Sequence, residues 1–134
     1  STSGSAAFRF SMLDDAITQS FQTMIKFGGY VMLYSILAAY IKAAYGPVGL
    51  RQILSVGFLE ITNGIADLSA ANLPQHILLP AVCFLSVFGG LSTFSQTSSV
   101  LNGSGLSLKT YFLGKLSNGI FAAVICLLLI CSFT

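Results

Sequence analysis

The 134 residues include six basic and four acidic side chains, 7% of the chain, while 54% are apolar and 13 more are glycine. Soluble domains carry about 25% charge, because a small domain has a large surface to solvate. The charged side chains here cannot cover such a surface, so the solvent must be largely lipid. That excludes a water-soluble enzyme, a nucleic-acid binder and a disordered tail. At about 20 residues per helical span, four or five crossings would use up the chain. The net charge of +2 is too small and scattered to call for a polyanionic partner.

Residues 1–9 open on Ser and Gly and read as a flexible N-terminal segment. From Phe10 to Phe27, Leu13, Ile17, Phe21, Met24 and Ile25 recur at helical spacing, with Asp14, Asp15, Thr18, Gln19 and Gln22 on the other side. Two such faces predict a helix lying along the membrane interface. Residues 28–45 are apolar and aromatic and predict a membrane span, closed at Gly46–Pro47, where proline lacks a donor.

Residues 48–71 begin as a membrane helix and then meet Glu60, Asn63, Gly64 and Asp67. Those four recur at i, i+3, i+4 and i+7, one helical face. Carboxylates at membrane depth are costly unless they face a partner or water. The stretch reads either as a polar-faced span or as a re-entrant hairpin with its tip at Thr62-Asn63-Gly64. Residues 76–101 predict a discontinuous span: an apolar first half, a Gly89–Gly90 pair where the helix can break, then a run of hydroxyls with Gln96. Ser92, Thr93, Ser95, Gln96, Thr97, Ser98 and Ser99 are too polar for lipid and must line protein or a water-filled cavity. A loop at Asn102–Gly105 leads to the last span, 107–133, which carries Lys109 and Lys115 in its first half.

If 48–71 spans, Lys42, Arg51, Lys109 and Lys115 fall on one side, which should be cytoplasmic. A hairpin would undo that assignment. No Ser/His/Asp, Cys/His, phosphate-loop or HExxH pattern is present. The expectation is therefore no enzyme, no cofactor and no metal. The three cysteines read as small buried apolar residues.

Taken in order, residues 58–64 (FLEITNG), 88–99 (FGGLSTFSQTSS) and 106–119 (LSLKTYFLGKLSNG) resemble the C-terminal half of the sporulation integral membrane proteins of the YlbJ type, within the wider Gate, or nucleoside-recognition, membrane domain group. The resemblance covers residues 10–134. It implies an all-α integral membrane fold, one of two inverted repeats of a transporter. Each repeat holds an interfacial helix, spanning helices, a re-entrant hairpin and a broken helix. It also implies a bacterial inner (cytoplasmic or forespore) membrane and a small polar or anionic solute, dipicolinic acid or nucleoside-like, moved with Na⁺ or H⁺. Because one repeat holds half a site, a second homologous half or a second copy is the expected partner, and the start at Ser1 favours a fragment of a longer chain.

The expected substrate-binding residues are Glu60, Thr62, Asn63, Ser92, Ser95, Gln96 and Ser99. Gly64, Gly89 and Gly90 are the expected hinges or helix breaks, and Lys115 the residue that attracts an anion. The alternative is a non-transporting assembly or scaffold subunit of a sporulation-type membrane complex, whose polar faces only pack against a partner.

Overall fold

The structure, a computed structural model, describes residues 3–45, 49–101 and 103–133. A first helix, α1, runs unbroken over Ser3–Tyr45, 43 residues. At 1.5 Å per residue it is about 64 Å long, about twice the hydrocarbon thickness of a bilayer. The expected flexible segment therefore continues the helix from Ser3. The expected boundary between an interfacial helix and a span at 27–28 is likewise absent. Gly28 and Gly29 each weaken a helix by about 1 kcal/mol relative to alanine, but both keep their backbone donors, so neither stops it. Side chains from Phe10 to Gln22 are exposed throughout, whereas Tyr34, Ser35 and Ala38 pack inward. Gly46–Pro47, the expected stop, lie outside the described residues.

Two ten-residue helices follow, α2 (Leu50–Leu59) and α3 (Ile61–Ala70), separated by Glu60 alone in an extended conformation, φ −145° and ψ 119°. They fold back on each other as an antiparallel hairpin. Next to the turn, Gly57 and Gly64 touch so closely that a Cβ on Gly64 would lie 2.2 Å from the Gly57 Cα. At the open end Gly49, Leu50 and Ile53 face Ala70, Ala71 and Leu73 across a cavity of about 410 Å³. The turn is at Glu60 and not at Thr62-Asn63-Gly64, which already form the first turn of α3. A carboxylate that can accept from the following amides ends one helix and starts the next, and the Asn-Gly pair is left free to be helical.

Helix α4 (Gln75–Phe88) ends at Gly89, and α5 (Gly90–Leu101) begins at once. Gly89 and Gly90 both have positive φ, +84° and +74°. Two successive residues in that region call for glycine, since a Cβ there meets the backbone. The last helix, α6 (Leu108–Phe133), packs along α4; a Cβ on Gly119 would already sit 3.1 Å from the Phe84 ring. Phe58, Phe84 and Phe88 stack at 5.0 and 5.6 Å between centroids, and Phe112 meets Phe88 and Phe94 edge-on. These rings join α2, α4, α5 and α6 in one aromatic wall. A small core of Ile53, Leu68 and Leu85 ties the hairpin to α4. Phe10–Tyr45, Gln75–Leu101 and Leu108–Ser132 are each long and apolar enough to cross a membrane.

Candidate functional site

Glu60 is 2% exposed. It caps α3: Oε1 accepts from the Thr62 amide at 3.1 Å, and Oε2 accepts from the Asn63 amide at 2.9 Å and the Asn63 side-chain amide at 2.8 Å. The Thr62 hydroxyl also donates to Oε2. A helix start leaves four backbone N–H groups without partners, and this one carboxylate takes two of them. The Asn63 amide group also donates to Ser35 Oγ on α1 at 3.1 Å, which anchors the hairpin tip to the first helix.

The second break lies against the first. A Cβ on Gly90 would come within 3.1–3.2 Å of the carbonyl oxygens of Gly57, Phe58 and Leu59, so only glycine lets the start of α5 approach the end of α2. The positive end of one helix thus meets the negative end of another. One turn into α5, Ser92 is 1% exposed and its Oγ accepts from Gln96 Nε2 at 3.1 Å. Ser95 Oγ and Tyr34 OH share a hydrogen bond of 2.7 Å, and Ser99 Oγ donates to the Gln96 carbonyl at 2.7 Å. Thr97 Oγ1 donates to the Thr93 carbonyl at 2.9 Å and lies 3.2 Å from the Tyr111 hydroxyl of α6.

Glu60, Thr62 and Asn63 therefore form one bonded cluster, Ser92 and Gln96 another, and Ser95 a third contact. Tyr34 and Ser35, adjacent on α1, link the Glu60 cluster to Ser95. The sequence offers Tyr34 only as an interfacial anchor and does not single out Ser35. The available signal was a Ser beside a Tyr in the middle of an otherwise apolar span, where a hydroxyl commonly serves another helix. Ser99 lies one turn further along, toward the end of α5. Lys115 joins none of these bonds; it is half-buried on α6 between Phe112 and Gly119.

Two expectations are corrected. Gly64 is neither a hinge nor a break: it is a buried contact inside α3, because the hairpin legs need a residue without a side chain there. Asp67 does not share a polar face with Glu60. It lies at the open end of the hairpin and pairs with Lys42 Nζ of α1 at 2.8 Å. Beside it, Gln52 is 5% exposed; its Nε2 donates to the Lys42 carbonyl at 3.3 Å, while its Oε1 has no partner among the described residues.

The cluster presents hydroxyls, amides and one carboxylate, and none of its bonds comes from a basic side chain. Thr62 is exposed and Asn63 half-buried, so both can exchange their bonds to Glu60 for bonds to a ligand. Among the described residues no group of three or more His, Cys, Asp or Glu side chains could hold a metal ion.

No protein-family model matches the chain, and no solved structure does. The chain is 29% identical over 138 aligned residues to the sporulation integral membrane protein YlbJ of Bacillus subtilis (strain 168), a match covering 88% of this chain and 33% of that protein. The chain thus spans about a third of the length of this curated relative, short of the half expected for one of two equal repeats. With its helices of membrane length and this similarity, the chain is an all-α integral membrane protein related to a sporulation integral membrane protein.

Proposed function

We propose that this chain is one repeat of a secondary transporter for a small polar solute. It would sit in a bacterial inner or forespore membrane and work with a second homologous half or a second copy. The observation that carries the reading is the meeting of the hairpin turn at Glu60 with the Gly89–Gly90 break, both dressed with polar side chains in a chain otherwise built for lipid. Broken helices whose ends meet near the bilayer midplane are how transporters hold polar solutes in membranes. On this reading the hairpin re-enters the bilayer without crossing it. The solute is bound by Glu60, Thr62, Asn63, Ser92, Ser95 and Gln96, with Ser99 nearer the exit and Na⁺ or H⁺ as the coupling ion. The role is transport and not catalysis.

The local electrostatics favour a hydroxyl- or amide-bearing solute over a dianion such as dipicolinic acid. The start of α3 is already met by Glu60, and the α2 carbonyl oxygens crowd the start of α5 with negative partial charge, so neither helix end favours an anion. An anionic solute would need positive charge from the second half, or from Lys115 after a rearrangement.

Glu60→Gln and Gln96→Ala, made in the protein together with its partner half and reconstituted in vesicles, test the reading. Loss of solute binding or uptake by tenfold or more, with normal expression and helix content, is the expected result. Unchanged uptake in both variants overturns it. Misassembly of both favours the scaffold alternative, which the saturation of Glu60 by its own segment supports.

A further inference from the structure

A second feature lies outside the polar cluster. The exposed loop residues Gly103–Ser107 lead into α6, whose first two turns border a cavity of about 440 Å³. Its walls are Phe94 of α5 and Leu108, Lys109, Phe112 and Leu113 of α6: four apolar side chains and one cation. Phe94 and Phe112 meet edge-on at 5.5 Å and form its floor. Leu113 is 63% exposed, so the cavity opens outward from the helix bundle and not toward the Glu60 cluster.

We propose that this groove binds one anionic phospholipid, its phosphate at Lys109 and part of an acyl chain along Phe94, Phe112 and Leu113. The occupant follows from the surroundings and the charge. The groove opens from a helix of membrane length, so what adjoins it is acyl chain. Lys109 is the second residue of α6, next to the loop, where a lysine reaches the headgroup layer while its stem stays on apolar surface. Lys42 has Asp67 as its counter-ion, whereas Lys109 forms no ion pair among the described residues, and a lipid phosphate would supply the missing charge. Basic positions between membrane helices are established headgroup sites. The inference is independent of the transport reading, since it uses none of the polar cluster.

The test uses the full chain reconstituted in bilayers of equal phosphatidylglycerol and phosphatidylcholine. The lipids that stay bound after extraction are counted by native mass spectrometry. The expected result is a several-fold enrichment of phosphatidylglycerol on the wild type, lost in Lys109→Gln and kept in Lys26→Gln, a lysine on the exposed half of α1. Leu113→Trp, at an exposed position that folding should tolerate, fills the groove and lowers retention of both lipids. Excess inorganic phosphate should leave the bound lipid in place. Equal retention of the two lipids by the wild type overturns the proposal, as does equal loss in both lysine variants, which would report bulk charge. Displacement by inorganic phosphate would mean a bare anion site without a seat for the chain, and overturns it as well.

Discussion

Gly57 and Gly64 hold the two legs of the hairpin closer than any side chain would allow. The two positions differ in what a methyl group would strike. On Gly64 it meets the Gly57 Cα at 2.2 Å and the Gly57 N at 2.9 Å, both backbone; on Gly57 it meets first the Leu85 Cδ1 at 2.6 Å, the end of a side chain that can rotate away. Gly64→Ala should therefore cost about 3 kcal/mol, the upper end for forcing atoms into a packed interior, and Gly57→Ala clearly less. Unfolding of the two variants in detergent, followed by circular dichroism, would check the order; equal losses would count against the contact. Glu60 shows what a sequence can disclose about one residue. A carboxylate in apolar surroundings was legible as a group needing partners. That its partners are Thr62 and Asn63 of its own segment and not another helix was not legible, because a capping carboxylate and a residue on a polar helical face both stand three positions before Asn63.

The same ambiguity acts on elements. The spacing of Glu60, Asn63, Gly64 and Asp67 is helical, and from Ile61 onward the helix is real. The helical period does not extend one residue further back, because Glu60 caps the helix and does not continue it. The Gly89–Gly90 break was readable because two adjacent glycines are the local condition for two positive φ angles. The continuity of α1 was not: amphipathic and apolar halves suggest two elements, but nothing local between them ends a helix. The pairing of α4 with α6 also lies beyond local pattern, and it gives a direct check. The Cys83 and Cys126 thiols are neighbours across these helices. Mild oxidation of the protein, with Cys131 replaced by Ser, should join them and protect the bond linking the two peptides after digestion. Failure to cross-link, with both thiols still reactive to a small alkylating reagent, would argue for another register.

Over the whole molecule the hairpin decides the topology. If residues 49–73 return to the side from which they start, the Gly103–Ser107 loop lies on the side of the α1 N-terminus, and Asn72 on the other. Lys26, Lys109 and Lys115 then belong to one side and Lys42 and Arg51 to the other, so Lys109 and Lys115 part from Lys42 and Arg51, with which a spanning segment would group them. The side holding the three lysines is expected to be cytoplasmic. Single cysteines at Ser11 and Ser104, both exposed, in a chain with its native cysteines replaced, should both be labelled from the cytoplasmic face of sealed vesicles. Labelling of these two positions from opposite faces would mean that the hairpin segment crosses. By itself the sequence determined the solvent, the helical character of nearly every segment and the position of the Gly-Gly break. These depend on side-chain polarity and on backbone conformations that single residues allow or forbid. Only the tertiary structure decided that the chain reverses at Glu60, that Asp67 belongs to Lys42, and that Tyr34 and Ser35 reach the polar cluster. Each of those rests on close contact between segments far apart along the chain, such as Gly90 against the α2 carbonyls, and local periodicity carries no record of which distant backbone will be there.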